Sequence, residues 1–292
     1  MNSRTITKLT VLGVGLGLSA EVGTRSQAGV ILNLTGNVGA SGVINGGKFQ
    51  TAELPPAGTG IFNPFLTIKN DSTESGYNTS GTLASNGFDQ HSGSKNRNRD
   101  LPVSSLIAVN LGGATYYRFS LDIAESQSGL NPYISINQIQ VFQTSTTGQT
   151  GGSEAANGRL NTTAPVALTG LISVYDMNSA AKPTDNRVDV APRPGNGVSD
   201  LYLYIPTASF SGAGTHILFY SQLGRSTPVP KKGTEAGGPY SSSGSFEEWA
   251  AFEMEPKRSE AVTAVPEAAT YFAAALLSLP ILAQIRRTPK TT

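Results

Sequence analysis

The chain has 292 residues, a formal net charge of +1, 14% charged residues and no cysteine. So neutral a composition leaves no electrostatic footprint for nucleic acid, and the lack of thiols excludes disulfides, a cysteine nucleophile and a cysteine-ligated metal. An exported domain built from it must draw its stability from packing or from bound ions.

The N-terminus has the order of a secretory signal peptide. Arg4 and Lys8 supply the positive segment, Leu9 to Ala20 the apolar one, and Ser26-Gln27-Ala28 the small residues of a cleavage position. Residues 1–28 are expected to be removed after Ala28, and a cut after Ala20 is also compatible. With the C-terminal tail set aside, about 235 residues remain, enough for one large all-β domain with a real core.

From Gly29 to about Asn70 the chain reads as strands broken at Gly46-Gly47 and Pro55-Pro56. Asp71 to Asp100 is poor in apolar residues and predicts a long polar loop. Alternation is clearest after Leu101: Tyr117, Phe119, Leu121 and Ile123 share one phase, and Tyr116, Arg118, Ser120 and Asp122 the other, as a strand with one buried face requires. A second strand spans Ile134 to Phe142. Its phase slips between Ile134 and Ile136 on one side and Ile139 and Val141 on the other, so a β-bulge at Asn137-Gln138 would return all four to the core.

Gln149 to Asn161, rich in Gly and Ser, predicts a loop or internal boundary. Four short strands follow, at Leu168 to Tyr175, Asn186 to Val190, Leu201 to Ile205 and Ile217 to Leu223; Arg225 to Ser245 is again polar. Short, regularly punctuated strands with no helical period before residue 245 predict an all-β fold, a β-sandwich or jelly-roll-like ectodomain over residues 29–254. The expected core is Phe119, Leu121, Ile123, Ile136, Ile139, Val141, Val174, Leu203, Ile205, Leu218, Tyr220 and Trp249.

Beyond a linker at 255–264 the tail changes character. Val265-Pro266-Glu267-Ala268 is followed by an uncharged apolar run, Ala269 to Ile285, and then by Arg286 and Arg287. As a helix that run nearly matches a bilayer core of roughly 30 Å. Pro280 is tolerated there more readily than in water. The arginine pair marks the cytoplasmic side, which leaves the preceding domain outside. Residues 269–285 are therefore expected to form a single C-terminal transmembrane helix.

The order Val265-Pro266-Glu267-Ala268, apolar segment, Arg286-Arg287 resembles the PEP-CTERM sorting signal of exosortase-processed proteins in Gram-negative bacteria. Ala268 stands where that family most often has a second proline. The resemblance implies export, anchoring in the inner membrane during transit, exosortase as a processing partner, and a final place at the cell surface or in the extracellular matrix. A second likeness covers about residues 101–254. Leu171 to Asp176, Gly197-Val198-Ser199-Asp200 leading into Leu201 to Pro206, Ile217 to Gly224, and Ser245-Phe246-Glu247-Glu248-Trp249-Ala250 are similar to the ectodomains of a set of PEP-CTERM proteins. That likeness implies no activity.

Candidate chemistry is sparse. Ser92-Gly93-Ser94-Lys95 matches the Ser-x-x-Lys of serine acyltransferases but lacks the helix and partner motifs that the chemistry needs. His91 and His216 are the two histidines, too few for a zinc site without cysteine. His216 falls in strand phase with Leu218 and Tyr220. Glu247, Glu248, Asp122 and Glu125 are the carboxylates from which a glycosidase pair could be drawn, although Glu247 and Glu248 point to opposite faces of a strand. Calcium needs only oxygen ligands, and Asp176, Asp185, Asp189 and Asp200 near strand ends are its candidate ligands, with turn formation the competing role. The expectation is thus a non-enzymatic surface or matrix protein, linked to exopolysaccharide, with a carbohydrate-binding module or carbohydrate-active enzyme as the alternative. Surface aromatics in line with polar groups would favour sugar binding, and two close carboxylates in a cleft would favour the enzyme.

Overall fold

The longest strand of the computed structural model, Ile134–Thr144, is buried at every one of its 11 positions. It lies within residues 29–52, 62–82, 87–91, 97–125, 133–163, 168–179, 186–193, 197–224 and 240–252, which the structure describes. Against its neighbour the register shifts between Ile136 and Gln138, and Ile134, Ile136, Ile139 and Val141 are all fully buried. The bulge does what the slipped alternation demanded: one extra residue on this strand keeps both apolar sets on one face.

In chain order the strands are β1 (Ile31–Leu34), β2 (Ser41–Ile44), β3 (Gly47–Thr51), β4 (Pro64–Ile68), β5 (Asp71–Ser72), β6 (Glu74–Tyr77), β7 (Leu101–Pro102), β8 (Ala108–Leu111) and β9 (Ala114–Ile123). They continue as β10 (Ile134–Thr144), β11 (Ser153–Glu154), β12 (Leu160–Asn161), β13 (Ile172–Asp176), β14 (Arg187–Val190), β15 (Leu201–Pro206), β16 (His216–Leu223), β17 (Ser242–Ser243) and β18 (Glu247–Ala251). Among the described residues the helical elements are two 3-10 turns, Val103–Ser105 and Thr207–Ser209. The all-β expectation therefore holds for this part of the chain.

Two seven-stranded sheets carry the fold. The first runs β1-β14-β10-β16-β6, with β13 also on β10 and β7 also on β16; the second runs β2-β3-β15-β9-β18-β4, with β8 also on β9. β1 pairs with β14 in parallel. Sequence neighbours seldom pair, because the chain passes from one sheet to the other between β9 and β10, β14 and β15, and β15 and β16. The β2–β3 hairpin is an exception, and its turn places Asn45 and Gly46 at φ 48° and 85°, the positive values that a two-residue hairpin matched to strand twist requires.

The inner faces meet in one core, as in a β-sandwich. Phe219 of the first sheet lies 5.4 Å from Phe65, 5.3 Å from Phe119 and 4.8 Å from Trp249 of the second, between ring centroids. Such tilted and edge-on pairs add to the burial of large rings. Most expected core positions are in this cluster, with Val174 half-buried at its margin. Leu218 and Tyr220 are buried elsewhere. They point outward from the first sheet and join Tyr77, Phe142, Leu160 and Leu168 in a second cluster.

That second cluster explains the Gly- and Ser-rich stretch. Instead of a boundary, residues 149–161 cross the outer face of the first sheet through the β11–β12 pair. Gln140 Oε1 accepts from Leu160 N at 2.8 Å, and the Tyr220 hydroxyl donates to Gly158 O at 3.0 Å. The predicted polar loop at 71–100 is also part of the fold, since β6 pairs with β16 and is buried throughout. Polar side chains complete its ladder. Asn78 accepts from Phe219 N at 2.6 Å and donates to Ile217 O at 3.1 Å, while Gln90 Oε1 accepts from Tyr77 N at 3.0 Å.

The chain divides into two compact units, Met1–Phe252 and Glu253–Thr292. The second unit, with the expected sorting signal and residues 269–285, lies outside the described residues, as does the expected signal peptide with Ala28. Among the described residues no helix is long and apolar enough to cross a membrane.

Candidate functional site

Strand alternation assigns two jobs to the second sheet. The inward phase of β9 builds the core; the outward phase, Tyr116, Arg118, Ser120 and Asp122, aligns with the outward phases of its neighbours. Across β15 and β3, Tyr204 stands between Arg118 and Lys48, and Tyr202 between Ser120 and Gln50. Pro206 is opposite Tyr116, and on the other flank Glu248 of β18 is opposite Asp122. Rows of polar and aromatic side chains thus cross four strands on one face.

The rings and the cation in these rows touch. Tyr116 and Tyr204 meet edge-on with centroids 6.4 Å apart, and Tyr202 and Tyr204 at 6.0 Å. The Arg118 guanidinium lies 4.8 Å from the centroid of Tyr202 and 4.2 Å from that of Phe252. A guanidinium held between two rings gains cation–π attraction and is fixed in orientation. Its buried Nε has no protein acceptor. Phe252 is 37% exposed, Tyr116 and Tyr202 are half-buried, and Tyr204 at 6% supports the others from below.

The far end of the same face is acidic. Asp122 Oδ2 accepts from Gly197 N at 2.7 Å, its Oδ1 has no donor, and the residue is 3% exposed. Burial pushes its carboxyl up to about 6; the charge of Glu248 adds to the rise, and main-chain N–H groups of Gly197 and Val198 oppose it. Glu248 accepts from Thr67 Oγ1 at 3.2 Å. Of the four carboxylates considered for acid–base work, Asp122 and Glu248 are thus neighbours. Glu247 is on the inner face opposite Ile123, and Glu125 accepts from the N–H and hydroxyl of Ser243.

The described calcium candidates are engaged one by one. Asp176 pairs with Arg159 and accepts from Gln138 Nε2 at 3.1 Å and from Asn178 N at 3.1 Å. Asp189 Oδ1 lies 2.7 Å from Arg187 Nε. Asp200 takes N–H bonds from Ile123 at 2.6 Å and Arg193 at 2.5 Å, which ties the loop before β15 to the end of β9. Burial raises all three carboxyls, Asp200 to about 8. Asp185 lies outside the described residues, and among those described no group of three or more histidine or acidic side chains is placed to hold a metal ion.

His91 packs against Phe246 with ring centroids 6.0 Å apart, and His216 Nδ1 meets Thr215 Oγ1 at 3.0 Å. Ser92 to Lys95 lies outside the described residues. Sequence reading missed the aromatic rows, although the signal was present: Tyr116 and Arg118 share a phase, as do Tyr202 and Tyr204, and only the pairing of β9 with β15 was needed to join them. Comparison with protein families, curated proteins and solved structures finds no match to this chain.

Proposed function

We propose that this chain is an exported, non-enzymatic protein of the Gram-negative cell surface or extracellular matrix that binds polysaccharide along the outer face of its second sheet. The observation that carries the binding part is the row Lys48–Tyr204–Arg118, with Tyr116, Tyr202 and Phe252 around it. Sugar rings present apolar C–H faces that stack on aromatic side chains, and hydroxyl-rich edges that accept from amine and guanidinium donors. The sheet face offers both to an extended chain of sugars at once.

Export and sorting rest on the termini. The signal-peptide order ending at Ala28, the Val265-Pro266-Glu267-Ala268 motif, residues 269–285 and Arg286-Arg287 together support membrane anchoring in transit and exosortase processing. Deleting residues 269–292 is expected to move the protein out of the membrane fraction. Equal fractionation of the truncated and complete chains would remove the anchor.

Affinity electrophoresis through gels containing the producer's exopolysaccharide tests the binding face. The wild-type chain is expected to be retarded, and Tyr202→Ala and Arg118→Ala are expected to be retarded much less; equal retardation of all three would place binding elsewhere. The alternative, a carbohydrate-active enzyme, draws on Asp122 and Glu248. Cβ atoms of directly opposed residues are roughly 4.5–5.5 Å apart, within reach of the roughly 5–5.5 Å between carboxyl groups in retaining glycosidases. The near-complete burial of Asp122 weighs for binding. Release of reducing sugar that disappears in Glu248→Gln would reverse that preference.

A further inference from the structure

Two glutamates enter the space between the sheets, one from each. Glu74 belongs to β6 of the first sheet and Glu247 to β18 of the second, and both are 0% exposed. Outer donors hold their far oxygens: Asn70 N donates to Glu74 Oε2 at 2.9 Å and Ser242 Oγ to the same atom at 3.4 Å, while Ser245 Oγ donates to Glu247 Oε1 at 3.1 Å. The remaining oxygens, Glu74 Oε1 and Glu247 Oε2, have no N–H or hydroxyl donor. The two carboxyl groups are neighbours, since Asn70, whose N–H holds Glu74, follows two residues after Ile68, the strand partner of Glu247, and two facing carboxyls can hydrogen-bond only when a proton stands between them.

Among the described residues the surroundings supply no positive charge. Among the described residues, the ionisable groups that act on Glu74 are Glu247, Glu125 after β9, and Asp89 beside Gln90; those that act on Glu247 are Glu74 and Glu125. All are acidic. Lys69 and Arg97, from the segments beside β18, stack over the Phe246 ring at 4.4 and 5.4 Å. Ionising both glutamates would therefore leave two like charges in contact, desolvated and unscreened.

We infer that Glu74 and Glu247 form a proton-sharing latch that clamps this end of the sandwich shut in mildly acidic medium and loosens it as the medium turns alkaline. Desolvation is the first cause of the raised carboxyl pKa in both: Glu74 rises from 4.5 to about 7 and Glu247 well above its ordinary value. The folded chain then holds a proton that the unfolded chain gives up. The latch contributes fully below the ordinary glutamate range and is lost as pH rises through 7. β6 and the segment 240–246 that leads into β18 are the elements it would free.

The test is thermal unfolding of the full-length chain between pH 5.5 and 8.5, for the wild type and Glu247→Gln. Asp122 and Asp200, also raised by burial, contribute in the same direction, so the latch is read from the difference between the two proteins. The wild-type Tm is expected to fall across this range, and Glu247→Gln, whose amide donates to Glu74 without a shared proton, is expected to lose a large part of that fall. A wild-type Tm that rises with pH, or a substituted chain with the wild-type slope, overturns the latch. Should Glu247→Gln not fold, carbon-13 NMR of the wild-type glutamate carboxyls decides: a buried glutamate still protonated above pH 6.5 is expected, and its absence overturns the proposal. Millimolar calcium that restores the pH 5.5 Tm at pH 8.5 would show that a cation, not a proton, joins the pair, and would overturn it as well.

Discussion

The first sheet turns Tyr77, Phe142, Leu218 and Tyr220 outward, and the chain covers them with its own Leu160 and Leu168. The second turns out Tyr116, Tyr202 and Arg118 and leaves them half-buried, Tyr116 edge-on to Tyr204 and Arg118 over the Tyr202 ring. Both outer faces are aromatic, yet only one is sealed. The polar edges differ as well. Around the first sheet Asp176 and Asp189 face Arg159 and Arg187; on the second, Asp122 and Asp200 accept from main-chain N–H groups. A sealed face is a stability feature and an unsealed one is available to a ligand, and substitutions on the two should separate these roles.

The largest expected effect is on the sealed side. Tyr220→Ala removes a fully buried ring and should cost about 3–5 kcal/mol in urea unfolding; a cost under about 1 kcal/mol would mean that residues 149–161 cover nothing of consequence. Close behind is Asp189→Asn, which takes the carboxylate away from the buried Arg187 guanidinium. Breaking a buried pair from one side costs about 3–5 kcal/mol, and the loss should persist across neutral pH.

On the unsealed face the pattern should invert. Tyr202→Ala is expected to cost about 1 kcal/mol or less in stability and to weaken polysaccharide binding roughly tenfold, the scale of one aromatic contact. Loss of stability without loss of binding would make the tyrosine rows structural. Asp122→Asn should act on pH dependence. With its carboxyl raised from 3.8 to about 6, the native state binds a proton that the unfolded chain has released, so stability falls as pH rises between those values. The asparagine chain should show a shallower fall, measured as Tm against pH; an unchanged slope would assign the dependence to other groups.

Calcium should have the smallest effect. Asp176, Asp189 and Asp200 already receive protein donors, so melting curves in millimolar calcium and in chelator are expected to coincide. A separation approaching the roughly 2.7 kcal/mol of a ligand at a hundred times its Kd would restore a site, with Asp185 the candidate not yet placed.

Where local pattern and tertiary demand agreed, the sequence was readable. The inward phase of β9, the bulge at Asn137-Gln138 and the opposite facing of Glu247 and Glu248 all follow from a period of two. Readability failed where burial was polar. β6 is Glu-Ser-Gly-Tyr, which has no apolar alternation, and it is buried because Gln90, Asn78 and the neighbouring strand meet its hydrogen bonds. Gly152 shows the same limit. A Cβ there would stand 2.8 Å from the Tyr77 ring, so what looks like linker composition is close approach of backbone to an aromatic face. Leu218 and Tyr220 read as inner core because a buried outer face has the same alternation as a buried inner one.

The interleaved pairing also governs when the domain can exist. β1 waits for β14, and β9 for both β15 and β18, so the first sheet is complete only when Leu223 has joined it and the second only when Ala251 has. A growing chain has no finished sheet to rest on until β16 is made, and a nick or stop codon before β18 would strip a central partner from β9 rather than trim an edge. Such a molecule reaches its complete fold late, because strands far apart in the chain must both be present before either can pair.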